Sequence, residues 1–357
     1  MSEVSTTPAD GDMGIFSNRL AGTLIGAAVA ALLLVAVVSA ARPAEVWRLL
    51  SSTDGGLLLI ALATSAAFLA ARGLRLLLLV ERGLLTWPRA TLVAAAAQAA
   101  ALFAPARVGE LALPLLVSRA TGRSFSSGVG TLLAARTLDL ATLGVWSGAA
   151  VLAVRGFGEP LAIVASIALL APSLLLPLTL TGADRLALRC LGPRGVRGRR
   201  WARRVRRVRR ELDALLRRPF RLIAAALTSV IMWGLQWVVA WILLVAMGYR
   251  WPPSSVVAGS AAAAVANLLP FNLVGNLGTL EAGWTAAFAA LGVPLQVAAA
   301  TGLAAHLWGL IFAALFGLLA WAVLTVWSGK KKTGQTADRA DHPREPFSEI
   351  RNPKCLG

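Results

Sequence analysis

Long uncharged blocks of apolar residues constrain this chain more than any other feature of its sequence. The block from Leu20 to Ala41 contains no charged residue, and about 20 apolar residues are what an α-helix needs to cross the roughly 30 Å hydrocarbon core of a bilayer. Of 357 residues, 57% are apolar and only 15% are charged, whereas a soluble domain would carry charges along the outer faces of its helices. The sequence therefore predicts an all-α polytopic membrane protein.

Six blocks are long enough to form complete transmembrane helices. We expect them to lie within one transmembrane domain of residues 20–327, between a disordered cytoplasmic N-terminus (1–19) and a disordered cytoplasmic tail (328–357) whose composition is polar. The six predicted spans are Leu20 to Ala41, Gly55 to Val80, Phe125 to Val154, Leu161 to Thr181, Arg221 to Gly248 and Leu295 to Trp327.

Two further apolar blocks are interrupted by proline, glycine and glutamate. The halves of the first would extend only about 21 and 12 Å as helices, which is too short to cross the bilayer. Broken backbone and carboxylates are costly in hydrocarbon and are tolerated where they line a cavity inside the protein. We therefore expect two re-entrant helical hairpins. The first joins Ala90 to Phe103 and Leu111 to Ser118 through Pro105 to Glu110, and the second joins Ser255 to Leu269 and Leu280 to Leu291 through Pro270 to Glu281.

The distribution of arginine gives these hairpins an orientation. Cytoplasmic loops accumulate Lys and Arg, and the segment from Asp184 to Arg221 holds 15 arginines against three acidic residues. This segment is cytoplasmic only if the first hairpin returns to the side from which it entered. Both termini are then expected in the cytoplasm, with the first hairpin entering from the inner face and the second from the outer face. Such an arrangement is typical of an inverted repeat.

The arginine-rich segment of residues 184–221 also has helical periodicity. Its apolar residues recur at helical spacing, which predicts a basic amphipathic helix. We consider three interpretations: a topology determinant on the anionic inner leaflet, a contact with a cytoplasmic protein, and nucleic-acid binding. The last is disfavoured because no aromatic residues interleave the arginines, so no nucleic acid is expected as a partner. The apolar face would consist of Trp201, Val205, Val208, Leu212 and Leu215.

Five ionisable residues fall inside predicted spans. We interpret Arg72 and Arg75 as anchors whose long side chains extend to the inner interface, with contact to a lipid headgroup as the alternative. Arg136 and Asp139 lie deep and share a helix face, either as a self-neutralising packing pair or as a site where Arg136 binds an anionic headgroup and Asp139 positions it. His306 is expected to be a hydrogen-bond partner between helices, with proton coupling as the alternative.

The two breaks are themselves candidate binding sites. Half-helix ends expose unpaired backbone groups and a dipole end, and transporters build polar sites from them. Glu110 and Glu281 are expected in the first turn of the resumed half-helices, and Asn272 and Asn276 would add donors and acceptors at the second break. The alternative is that the breaks are packing kinks whose glutamates cap the helices.

Together these motifs resemble the transmembrane region of lysylphosphatidylglycerol synthases and related flippase-like membrane proteins. The resemblance covers about Leu20 to Trp327 and rests on three motifs in order. They are Pro105-x-Arg107-x-Gly109-Glu110, Arg136-x-x-Asp139, and the glycine-rich run from Pro270 to Glu281 followed by Gly292 and Val293. The site residues that it implies are Arg107, Gly109, Glu110, Arg136, Asp139, Gly275, Gly278 and Glu281. The chain departs from the family at Ala135 and Leu280, where Glu and Arg are common.

The resemblance implies movement of a phospholipid or lipid-linked sugar headgroup between the leaflets of the plasma membrane. Only about 30 polar residues follow Trp327, so the synthase domain of bifunctional members is not expected, and neither enzyme activity nor a cofactor is predicted. A second hypothesis is a non-transporting scaffold for a lipid-modifying enzyme or a glycosyltransferase. An intramembrane enzyme using Glu110 and Glu281 is disfavoured, since the sequence offers no nucleophile or metal cluster beside them. The lipid and any coupling ion are left open.

Overall fold

The computed structural model describes residues 28–104, 109–155, 206–210, 212–267 and 274–340. Within these residues all regular structure is helical, which confirms the predicted all-α class. We number the principal helices α1 (Ala28–Ala41), α2 (Pro43–Ser51), α3 (Gly55–Leu79), α4 (Trp87–Phe103), α5 (Ala112–Thr121), α6 (Phe125–Arg155), α7 (Pro219–Ala246), α8 (Pro253–Ala266), α9 (Thr279–Ala290) and α10 (Leu295–Ala340). Short helical stretches at 206–210 and 212–216 precede α7.

Four of the described helices are long and apolar enough to cross a membrane. They are α3, α6, α7 and the part of α10 from Leu295 to Trp327. The pair α1 and α2 would be a fifth span, but it bends by 72° at Arg42, whose φ is 54°. Pro43 explains the break, because proline has no N–H to donate and disfavours helical backbone in the residue before it. The predicted span Leu161 to Thr181 lies outside the described residues, and α10 continues past the predicted domain boundary at 327.

Helices α3 and α7 form an antiparallel pair with both ends joined by hydrogen bonds. At one end the backbone N–H of Asp54 donates to the carbonyl of Ala246 at 3.0 Å. At the other, the guanidinium of Arg221 donates to the carbonyls of Leu77 and Val80, both at 2.9 Å. Carbonyls in the last turn of a helix lack intrahelical partners, so Arg221 satisfies the end of α3. The C-terminus of α3 and the N-terminus of α7 therefore lie together.

Helices α4 and α5 form the first interrupted unit. The start of α4 and the end of α5 both lie near the C-terminus of α3. Arg123, in the turn between α5 and α6, forms an ion pair with Glu81, which follows α3 directly. The chain from Glu81 leads within six residues to the start of α4 at Trp87. We call this region the basic end, and its arginines include Arg82, Arg119, Arg123, Arg217 and Arg218.

The α8–α9 unit has both of its ends at the opposite side. Trp251, just before α8, stacks against Phe288 near the end of α9, with ring centroids 4.8 Å apart. Trp251 also follows the end of α7, which lies beside Asp54. The two interrupted units thus start from opposite ends of the molecule.

The break of the second unit lies against helix α4 of the first unit. Helix α4 contacts a 3-10 turn at Val274–Asn276 in the second break. This turn needs left-handed backbone, with φ of 77° at Gly275 and 59° at Asn276. Such angles are accessible to glycine and asparagine. Leu310 of α10 packs against the turn at Gly275, so α4, the break of the second unit and α10 come together at this turn.

Candidate functional site

A cleft lined by arginines and carboxylates lies between α3, α4, α5 and α6. It contains about 520 Å³ of empty space, including its open mouth. Its walls are otherwise apolar, with alanines from α4 and leucines from α3, α5 and α6. We call it the arginine cleft, and its charged residues are Arg72, Arg75, Glu110, Arg136 and Asp139.

Arg75 and Asp139 form the buried ion pair at the floor of the cleft. Arg75 is only 3% exposed, and its Nη1 also lies 3.4 Å from Ser229 Oγ. Trp233 of α7 donates its indole N–H to Asp139 Oδ1 at 3.1 Å. The prediction that Arg75 extends to the interface is wrong, because Asp139 supplies a counter-charge that keeps the guanidinium inside the bundle.

Arg136 connects this pair to the first break. Its Nη2 lies 3.1 Å from Glu110 Oε1 and its Nη1 lies 3.9 Å from Asp139 Oδ2. Arg136 and Asp139 therefore do not simply neutralise each other, because Asp139 also forms an ion pair with Arg75. The Arg136 side chain is 41% exposed, so it can meet a ligand that enters the cleft.

The described charges of the cleft do not cancel. Arg72 donates to the side-chain oxygen of Gln98 at 3.1 Å, and no carboxylate of the described residues forms an ion pair with it. Three guanidinium groups thus face two carboxylates. In a low-dielectric surrounding, an excess positive charge strongly favours a bound anion.

Gly109 allows Glu110 to reach the cleft. It lies in a 3-10 turn at 109–111, just before α5, and a Cβ there would be 2.6 Å from the carbonyl carbon of Ala100 and 2.7 Å from Cα of Ala101. Only glycine can pack so closely against the end of α4. Glu110 therefore lies in the turn before the half-helix rather than in its first turn as predicted. Arg107, the other charged residue of this motif, lies outside the described residues.

Glu281 occupies a separate position at the second break. Its side chain is fully buried, its Oε2 accepts the backbone N–H of Gly278 at 2.7 Å, and its Oε1 contacts His306 Nδ1 of α10. It lies in the first turn of α9, as predicted. It also caps that helix, which is the role that the packing alternative gave it. His306 is confirmed as a hydrogen-bond partner between helices.

Glu110 and Glu281 therefore contact different sets of described residues. Glu281 does not line the arginine cleft, although the sequence assigned both glutamates to one site. Gly275, Asn276 and Gly278 accompany Glu281 at the second break, and Asn272 lies outside the described residues.

Residues 23–317 match the family model described as "Lysylphosphatidylglycerol synthase TM region". The chain belongs to this family. The matched region contains both breaks and every described residue of the arginine cleft, as the motif resemblance implied. A search among curated proteins found no match.

A second cavity in this family member adjoins the arginine cleft. It lies between α3, α4, α7 and α10 and contains about 430 Å³ of empty space, including its opening to the outside. Gln98 lines it and also accepts the hydrogen bond from Arg72, so one side chain separates the two spaces. Gln98 and Gln236 were not among the predicted site residues, although an amide side chain inside an apolar helix is a signal of a polar site. We call this space the amide cavity, defined by Ser65, Gln98, Gln236, Phe68, Phe312 and Phe316.

Proposed function

We propose that this protein moves the phosphate-bearing headgroup of a phospholipid or lipid-linked sugar between the leaflets of the plasma membrane. The observation that carries the proposal is the excess guanidinium charge of the arginine cleft, among helices that cross the membrane. Phosphate suits this site because guanidinium groups form strong, charge-assisted hydrogen bonds with its oxygens. Membership of the family supports a lipid-related role.

In this proposal Arg136 and Arg72 bind the phosphate while Arg75 stays with Asp139. Arg136 is the more accessible of the two, and Arg72 has only the neutral Gln98 as its described side-chain partner. The leucines and alanines of the wall would contact the first carbons of the acyl chains. The headgroup could then enter the bundle while the acyl chains remain in lipid.

The positions of the two broken units support alternating access from the two leaflets. We interpret α4–α5 and α8–α9 as re-entrant hairpins, because each unit has both ends at one side of the molecule. Placing the basic end in the cytoplasm follows the positive-inside rule. The first hairpin then enters from the inner leaflet, beside the arginine cleft, and the second enters from the outer leaflet.

A scaffold for a lipid-modifying enzyme or glycosyltransferase is the second candidate. Leu212 and Leu215 pack beside Leu79 and Ala135, so this part of the basic segment uses its apolar face against the protein itself. Arg206, Arg207 and Arg210 are exposed and could contact a protein or the anionic inner leaflet. Reversing these charges would break a complex in the scaffold case, whereas lipid exchange would be unaffected.

Leaflet exchange in proteoliposomes tests the proposal directly. The wild-type protein is expected to accelerate exchange of a fluorescent phosphatidylglycerol analogue over protein-free vesicles. Arg136→Gln should slow it at least about tenfold, the loss expected for one charge-assisted hydrogen bond. Arg48→Gln is the matched control, because Arg48 lies on α2 in an exposed pair with Glu45. Equal rates for wild type and Arg136→Gln would refute the cleft as the translocation site.

A further inference from the structure

We infer that the amide cavity binds an uncharged, hydroxylated headgroup whose phosphate occupies the arginine cleft. The favoured lipid is then an anionic phosphodiester carrying a polyol or a sugar, and not one carrying an amine. This inference rests on the proposed placement of phosphate in the arginine cleft, and it names the class of substrate.

The two spaces are arranged so that one headgroup can reach both. Ser65 lies about two helical turns before Arg72 on α3, a distance of about 10 Å along the helix. Gln98 of α4 contacts Arg72 and lines the amide cavity. A group attached to a phosphate at Arg72 would therefore extend past Gln98 into the cavity.

The amide cavity offers hydrogen-bonding groups that the described protein does not use. Gln236 lies near the middle of the 28-residue helix α7, and its side chain forms no hydrogen bond with any described residue. In Gln98 the oxygen accepts from Arg72, which leaves the two amide N–H donors without a described partner. Unpaired amides are costly in the hydrocarbon region, so the cavity is suited to a ligand that supplies hydroxyl groups.

Ser65 adds an acceptor to the same wall. Its hydroxyl donates to the carbonyl of Ala61 at 2.8 Å, so its oxygen can still accept a hydrogen bond. Phe68, Phe312 and Phe316 line other parts of the wall, together with aliphatic residues. These rings would contact the C–H faces of a sugar or polyol, burying apolar area.

Charge excludes an amine from this arrangement. None of the described residues that line the amide cavity is charged, so an ammonium group buried there would lack a counter-charge among them. A phosphodiester with a neutral substituent carries one negative charge, which matches the single excess guanidinium of the described cleft. The phosphate of a zwitterionic or aminoacylated lipid would still fit the arginine cleft, but its ammonium group would find no counter-charge in the described wall of the amide cavity.

Gly309 makes the cavity testable without disturbing the packing. It lines the amide cavity, and a Cβ there would meet no atom within 4 Å. Gly309→Leu should therefore fill the cavity while leaving the arginine cleft intact. Gly55→Leu is the matched control, because Gly55 also has open space at its Cβ and lies away from both cavities.

The test is equilibrium binding of short-chain phosphatidylinositol, phosphatidylethanolamine and phosphatidic acid to the purified full chain in detergent. We expect phosphatidylinositol to bind at least tenfold more tightly than phosphatidylethanolamine. Gly309→Leu should weaken phosphatidylinositol at least tenfold and change phosphatidic acid less than twofold, whereas Gly55→Leu should change neither. Gln236→Leu, which keeps side-chain volume, should give the same selective loss.

Three results separate the inference from the function on which it rests. Equal binding of phosphatidylinositol and phosphatidylethanolamine, or an equal loss for all lipids in Gly309→Leu and Gln236→Leu, would overturn the inference alone. If Arg136→Gln left the affinity for phosphatidic acid unchanged, the phosphate site itself would be wrong and the inference would fall with it. Selective loss of phosphatidylinositol binding in both cavity variants, with Arg136→Gln weakening every anionic lipid, supports both.

Discussion

Arg75 and Asp139 lie 64 residues apart in the chain and form a nearly buried ion pair between α3 and α6. Removing one partner of such a pair leaves an uncompensated charge, which typically costs about 3–5 kcal/mol. Asp139→Asn should therefore lower the free energy of unfolding by about that amount, measured by denaturation in detergent. Glu45→Gln, at an exposed pair with Arg48, should change it little.

The outcome that would contradict this assignment is an Asp139→Asn protein as stable as the wild type. Replacing both charges, as Arg75→Met with Asp139→Leu, should recover most of the lost stability, because no unpaired charge then remains.

The sequence predicted Arg136, Asp139 and Glu110 as candidate site residues, but it could not predict that Arg136 pairs with Glu110 or that Asp139 pairs with Arg75. Arg136 and Asp139 share a face at local helical spacing, so their proximity follows from the chain. The contact of Asp139 with Arg75 depends on which faces of α3 and α6 meet. No local pattern carries that information, and Arg75 was therefore misread as an interfacial anchor.

The bounds of the long helices were predicted most accurately, because the length of an apolar block determines where such a helix begins and ends. Predicted Gly55 to Val80 corresponds to α3 at Gly55–Leu79, and predicted Phe125 to Val154 to α6 at Phe125–Arg155. The bend between α1 and α2 was not predicted, although Pro43 marks it. A proline at a helix start is compatible with either a straight entry or a sharp turn, and the packing of the neighbouring helices selects between them.

Close packing of α3 and α4 depends on Gly73. A Cβ at this position would lie 2.5 Å from Cα of Thr91, so even alanine would force the two helices apart. Gly73→Ala should lower the free energy of unfolding by about 1–3 kcal/mol, as expected for overpacking. Gly55→Ala, where the added methyl has space, is the control. Thermal or chemical denaturation in detergent compares them.

Gly73→Ala would contradict the described packing if it proved as stable as the control. Gly73→Ala should also affect leaflet exchange. Helix α4 contributes alanines to the wall of the arginine cleft and Gln98 to the amide cavity. A displaced α4 should slow leaflet exchange even in the fraction that remains folded.

For the whole molecule, the arrangement of the two broken units predicts a membrane topology. Trp87 and Thr121 border the α4–α5 unit at the basic end, and Arg250 precedes the α8–α9 unit at the other end. In a variant whose Cys190 and Cys355 are replaced by serine, cysteines at 87 and 121 should react with impermeant maleimide only from the cytoplasmic side. A cysteine at 250 should react only from outside.

Labelling of positions 87 and 121 from opposite sides would show that the first unit crosses the membrane. The sequence reached the same-side arrangement through helix lengths and arginine counts. The structure adds independent contacts, between Arg123 and Glu81 at one end and between Trp251 and Phe288 at the other. What the sequence could not supply is the separation of Glu110 from Glu281, because that depends on how far each broken unit reaches into the bundle.

In the proposed function Arg136 binds a lipid phosphate during translocation, and its pairing with Glu110 alone does not explain its role. Leaflet exchange by the charge-neutral double variant Glu110→Gln with Arg136→Gln separates these roles, because this variant has no unpaired charge at the pair. If Arg136 binds the phosphate, this variant should exchange a phosphatidylglycerol analogue at least about tenfold more slowly than the wild type. Exchange at the wild-type rate in the double variant would contradict it.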